Sequence, residues 1–346
     1  MRSIRQNVLL LSALLYGILS LLLGNTFTAG TVARAQSGGN WQQLQPSGDL
    51  PSARYDHVLI ALPDQGKLLL FGGRSRGTLG DTWLYRIAEN RWEQLSLTPA
   101  PEPRFGMSAA YDAESGRVFV FGGQQTGFFN DIWEFDGRAE VWRSVAAQGT
   151  PPTPRYGQSA VIDPQSKTLI VSHGFARGRF DDTFAFDLTT STWRDISPTD
   201  RPLKRCLHEA IYEPVSSTMI LFGGCSSGFG PCPQGDTWSF DFTSGTWREI
   251  TGSTTPAARS NPSLVGDDDG TAYLFGGRGE RGVFYGDLWA YDAAGGQWQE
   301  LAVSAGPAAR SSHDAAWDSV QGVMYVFGGK TGDGDVNDLW VYTPSK

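Results

Sequence analysis

The chain has little of what usually marks a reactive centre. Its 346 residues include three cysteines, four histidines and four methionines. It contains no Gly-x-Ser-x-Gly elbow, no His-Glu-x-x-His pair and no glycine-rich phosphate loop. Those motifs carry serine-hydrolase, zinc-peptidase and nucleotide-binding chemistry, so none of these is indicated. Basic clusters are missing too: 28 Lys and Arg stand against 36 Asp and Glu, a net charge of −8. That balance speaks against nucleic acid and anionic lipid as partners. After residue 35 no long apolar run occurs, so the rest of the chain is expected to be soluble.

What is present begins with a leader. Arg2 and Arg5 precede an apolar run of seventeen residues, Val8 to Gly24, and Ala33 and Ala35 form a small-x-small cleavage site before Gln36. Residues 1–35 are expected to be an export signal and residues 36–346 a single domain. Without the three arginines of the leader the net charge moves from −8 to −11. The run reaches the lower limit for a membrane span, so an uncleaved leader would be an anchor, and the only membrane contact. The expected location is secreted, periplasmic or cell-surface. Export permits disulfides. Cys225 and Cys232 flank the short segment CSSGFGPC and are candidates for one. Cys206 is then a free thiol or a competing partner.

The rest of the chain repeats. Phe-Gly-Gly occurs at Phe71, Phe121, Phe222, Phe275 and Phe327, and a decayed copy, Ser-His-Gly, at Ser172. The second glycines, at 73, 123, 174, 224, 277 and 329, are 50, 51, 50, 53 and 52 residues apart. Asp-x-Trp follows each doublet, at Asp81, Asp131, Asp236, Asp287 and Asp338, with Asp182 leading to Phe184 in the third copy. A second Trp lies nine residues on, at Trp92, Trp142, Trp193, Trp247 and Trp298. Each unit opens with an Arg: Arg54, Arg104, Arg155, Arg205, Arg259 and Arg310.

Every unit reads as four strands. The second of them, as in KLLLF or RVFVF, is apolar on both faces and needs cover on both sides. Radial repetition of four-stranded sheets supplies that cover. An all-β propeller of six blades is therefore expected, at about 54–96, 104–147, 155–197, 205–251, 259–302 and 310–343. The sixth unit lacks its Trp-x-x-Leu strand. An orphan copy, Trp41 to Leu44, sits just past the leader. Residues 40–45, with a strand at 41–45, are expected to complete blade six and close the ring. Eleven of the twelve Trp fall on framework positions, Trp317 being the exception, which points to packing between blades.

The Gly-Gly doublets, the spaced aromatic pair and the period near fifty resemble the Kelch-repeat family of β-propellers. The resemblance covers about Trp41 to Tyr342. It implies a fold that serves very different functions, so function must be argued at the site. The opening Arg and the loops after Gly-Gly are expected at one mouth of the central channel. The six Arg could grip carboxylates or sugar acids, or pair with the Asp of Asp-x-Trp. His57, His208 and His313, each three residues after an opening Arg, are further candidates. No carboxylate holds a matching place, so no metal site and no cofactor are read from them. Of the loop aromatics, Phe129, Phe180 and Tyr285 suit packing, whereas Phe128, Phe229 and Phe284 could stack on a partner or sugar. The expected role is an exported scaffold binding an extracellular or periplasmic protein or glycan. The alternative is an enzyme similar to the exported bacterial N-acetylneuraminate epimerases, six-bladed Kelch-like sugar mutarotases whose substrate acid a ring of Arg would suit. Galactose oxidase has similar repeats, but its copper-binding Tyr, Cys and His constellation has no counterpart here.

Overall fold

The computed structural model describes residues 38–226 and 232–345. The leader and Phe229 lie outside the described residues. Among the described residues six antiparallel sheets of four principal strands form the blades, and a small three-stranded sheet, Arg310–Ser311, Lys330–Thr331 and Gly334–Asp335, accompanies the sixth. Their innermost strands are Val58–Leu62, Ser108–Asp112, Ser159–Asp163, Glu209–Glu213, Ser263–Gly266 and Asp314–Asp318. Each packs against the next, and that of blade six against that of blade one, so the ring is closed. The third sheet gains a short parallel edge strand, Gln148–Gly149, beside Thr192–Asp195.

The orphan segment does what its sequence suggests. Asn40–Leu44 pairs antiparallel with Leu339–Thr343, Asn40 facing Thr343 and Leu44 facing Leu339, as the outer strand of blade six. Trp41 then occupies the place of the second Trp in the other blades. That Trp always rests on the end of the second strand in the preceding blade. Ring centroids are 5.1 Å apart for Trp142 on Phe71 and for Trp41 on Phe275, and 5.2 to 5.3 Å for Trp193 on Phe121, Trp298 on Phe222 and Trp92 on Phe327. The decayed third copy offers Ser172 there, and Trp247 meets the edge of His173 instead, at 5.8 Å. Blade three still forms with four full strands.

Two further bonds stitch the seams. The N–H of each second glycine donates to the carbonyl of the next opening Arg, from Gly73 to Arg104 through to Gly329 to Arg54, at 2.8 to 2.9 Å. The first glycine is crowded as well: a Cβ on Gly72, at φ +65°, would stand 2.6 Å from the Arg104 carbonyl oxygen, although His173 holds the same left-handed conformation in blade three. Nearer the axis, Asp56, Gly106, Gly157, Leu207, Asn261 and Ser312 all adopt positive φ. The N–H of each donates to the carbonyl of its counterpart one blade back, and Asp56 donates to Ser312, at 2.8 to 3.0 Å. The result is a closed circle of six backbone hydrogen bonds. Cys225 and Cys232 form a disulfide, and Cys206 remains a free, buried thiol.

Trp41 is 6% exposed and touches both Phe275 and Tyr342. Trp41→Ala should cost about 3–5 kcal/mol in urea unfolding, the range for removing a buried Trp. A chain starting at Ser47 should lose at least as much, together with the sharpness of the transition.

Candidate functional site

The opening Arg are the first residues to place. All six are at most 1% exposed. Each guanidinium makes a two-pronged salt bridge to the Asp of Asp-x-Trp in its own blade: Arg54–Asp81, Arg104–Asp131, Arg155–Asp182, Arg205–Asp236, Arg259–Asp287 and Arg310–Asp338. The N–O distances run from 2.5 to 2.9 Å. Nη1 also donates to the carbonyl of the first residue of the doublet, as in Arg54 to Gly72 and Arg155 to His173, and Nε to a carbonyl two residues back. The ligand-binding role offered for these residues is therefore corrected. Their donors are spent inside the blades, and the internal pairing is the reading that holds.

The same geometry explains Asp-x-Trp. The Trp indole N–H donates to the Asp carboxylate in five blades, at 2.6 to 2.9 Å. Phe184 lacks that donor, so Asp182 keeps only the guanidinium. Phe129, Phe180 and Tyr285 cover the guanidinium faces of Arg104, Arg155 and Arg259, 4.0 to 4.3 Å from ring centre. Burial pushes the carboxyls of Asp81, Asp131, Asp236, Asp287 and Asp338 up, but the hydrogen bonds and charge of the Arg outweigh it and hold them below the usual range.

His57, His208 and His313 do not meet at a ligand. They lie in seams between blades, at most 5% exposed. His208 Nε2 is 3.0 Å from Ser159 Oγ and His313 Nε2 2.9 Å from Ser263 Oγ, each one blade back. Gln158 takes the same place in blade three and donates to Ser108. His57 stands edge-on to Phe327. The structure places all three as seam residues that also border the central channel.

Two surfaces remain accessible to a partner. One is the mouth formed by the loops after Gly-Gly. Phe128 stacks on Tyr156 at 6.0 Å and meets the edge of Phe175 at 6.4 Å. Phe284 lies 5.9 Å from the Arg278 guanidinium, Phe105 4.9 Å from Arg74, and Tyr55 3.7 Å from Lys330 Nζ. Aromatic rings and cations thus alternate around the mouth, which reading the loops one at a time did not reveal. The other surface is the central channel, about 540 Å³, walled by the inner strands. Glu209 and Asp314 are the two among its lining carboxyls that lie at the first position of an inner strand. Burial lifts Asp314 to about 7, although the N–H groups of Leu59 and Ala315 bind it at 2.7 and 2.8 Å. Burial and the charge of Asp314 raise Glu209 well above the carboxylate range.

A closed ring of repeated blades, each locked by a buried Arg–Asp pair and opening on variable loops, defines a β-propeller. Comparison then gives the family. A family model described as the KLHDC2/KLHL20/DRC7 Kelch-repeats domain matches residues 33–202 and 197–346. The chain belongs to the Kelch-repeat family. It is similar to Adagio protein 3 of Arabidopsis thaliana, 29% identical over 256 residues, covering 68% of this chain and 40% of that protein. Acyl-CoA-binding domain-containing protein 4 of Arabidopsis thaliana is 28% identical over 201 residues, 54% of this chain and 29% of that protein. Kelch domain-containing protein 3 of Bos taurus is 27% identical over 275 residues, 72% of this chain and 70% of that protein. The chain thus spans well under half the length of the first two.

Asp236→Ala leaves the buried Arg205 guanidinium without its counter-charge and should cost about 3–5 kcal/mol in chemical unfolding, the cost of breaking a buried pair from one side. Acid should act through the imidazoles. Burial, helped by neighbouring Arg, holds His57 and His208 down to about 3, and His173 and His313 well below 6.5. The unfolded chain takes up those protons first, so this stability is present above about 6.5 and is lost as pH falls toward 3, by up to about 1.4 kcal/mol per unit and group. His208→Gln, which copies Gln158, should flatten the fall of Tm between pH 6.5 and 4.

Proposed function

We propose that this chain is an exported binding scaffold whose mouth, formed by the loops after Gly-Gly, captures an acidic extracellular protein or glycan. The observation that carries the reading is charge. The mouth loops hold Arg74, Arg76, Arg177, Arg179, Arg278, Arg281 and Lys330 against Asp181, Glu280, Asp333 and Asp335, in a chain of net charge −8. Arg74, Arg76, Arg177, Arg278 and Arg281 are exposed. Cations set among aromatic rings suit carboxylates and sugar acids, since guanidinium groups grip planar anions while rings cover flat or apolar parts. The leader at residues 1–35 supports export, and the Cys225–Cys232 disulfide suits an oxidising compartment. The enzyme alternative loses its motive, because the Arg ring that suited a sugar acid is paired internally.

The test is binding of a labelled polyglutamate peptide, with polylysine as control. Polyglutamate should bind, and more weakly as salt rises. The exposed triple variant Arg74→Glu, Arg177→Glu, Arg278→Glu should lose binding at least about tenfold while keeping its Tm, because rim charges steer association more than they hold the fold. A preference for polylysine, or no effect of the triple variant, would overturn the mouth assignment.

A further inference from the structure

The inner strands carry one position that alternates between seam and channel. It is the first residue of each: Val58, Ser108, Ser159, Glu209, Ser263 and Asp314. In three seams this residue is a serine whose hydroxyl bonds a side chain of the next blade, namely Gln158, His208 or His313. In a fourth, Val58 packs in one apolar cluster with Met107 of the next blade. Two seams break the rule with acids. The oxygens of Asp314 are engaged by two backbone N–H groups, from Leu59 and Ala315. The seam partner due to Glu209 is Pro262, which has no hydrogen to give.

Glu209 therefore has no hydrogen-bond partner among the described residues, and it stands half-buried with its carboxyl open to the channel it lines. Around it the wall is mainly apolar, with Ile60, Ala110, Ala210, Ile211 and Val265. The described channel lining carries acids from several blades, Asp314 among them, and neither lysine nor arginine. A half-buried carboxyl with no donor from the protein is poorly satisfied, and a second acid on the same channel adds repulsion. A positive group between the two relieves both terms. Toward the far end the channel wall carries Tyr111, Tyr212 and Trp317 with Asp112, Asp267 and Asp268. Rings and acids at that end favour the approach of a cation, opposite to the cationic mouth.

We propose that the central channel is a second binding site, for a small organic cation whose ammonium or guanidinium group sits between Glu209 and Asp314. The far end, with its acids and its Tyr and Trp rings, admits the ligand, and the Glu209 carboxylate is its main anchor. Aliphatic carbons of the ligand lie along the apolar wall. This site is independent of the mouth, so failure of either leaves the other standing.

The test is isothermal titration of the full chain at pH 8 with putrescine and with n-butylamine, n-butanol serving as the uncharged control. Both amines should bind and n-butanol should not. Glu209→Gln, which keeps the shape and removes the charge, should weaken amine binding at least about tenfold, the usual loss of a charge-assisted hydrogen bond. Pro262→His introduces the imidazole that three other seams carry at this place. It should occupy Glu209 and weaken the amine comparably, with the polyglutamate signal at the mouth unchanged. Should Pro262→His not fold, the Glu209→Gln comparison decides alone. No heat with either amine, equal affinity in Glu209→Gln, or binding of calcium in place of the amines would overturn the proposal.

Discussion

A guanidinium group cannot be left alone in a protein interior, and this chain buries one in each of six blades. Each has to be met by a carboxylate, and the carboxylate has to arrive from the far side of the loop after Gly-Gly. The pair therefore spans 27 or 28 residues in five blades and 31 in blade four. The extra residues of blade four fall within the loop, between Cys225 and Asp236. The base of every loop is pinned to one geometry, and the tip is free to vary in length and chemistry. Asp-x-Trp, the doublet carbonyl and the ring over the guanidinium all serve the same charge. A scaffold of this kind separates what holds the blades from what a partner touches.

Between blades the logic is different. There neutral, short-range bonds recur from seam to seam: indole on phenyl ring, glycine N–H on the next Arg carbonyl, imidazole or amide on serine, with ion pairs such as Lys67–Glu140 added only in places. The indole adds an N–H to threonine where one is available, from Trp142 to Thr82, Trp247 to Thr183 and Trp298 to Thr237. Trp41 and Trp193 face seams whose equivalent positions are Leu288 and Ile132, and their N–H groups have no partner among the described residues. In those two seams the indole contributes ring contact alone, beside the backbone hydrogen bonds that every seam has. The strength of the ring is thus uneven, and one of the two less bonded seams includes the closing strand.

Much of the fold was legible because the same few residues recur at a fixed distance. Period, blade limits and the borrowed strand follow from Gly-Gly and Trp positions alone. The disulfide was legible as one option among the three cysteines. The role of the arginines was not decided, since an Arg in every blade suits either a ligand or an internal acid, and only burial separates the two. The histidines misled for a related reason: residues three after Arg look like a set, yet each one addresses the blade behind it. The axial circle of hydrogen bonds had only a faint signal, in the turn-tolerant Asp, Gly, Asn and Ser two residues after most opening Arg, and Leu207 hides even that. Glu209 was invisible because its meaning depends on Pro262, more than fifty residues away in the chain.

The strand that closes blade six also sets how the molecule responds to tension. Asn40 lies opposite Thr343, so the chain enters and leaves the last sheet at the same end of one antiparallel pair. A pull applied to the two ends loads the hydrogen bonds between them one after another rather than all together. Force would peel the outer strand like a zipper, and Trp41 would be among the first large groups to leave its seat. The ring is closed against heat and solvent along its whole circumference, and mechanically it has one place to open.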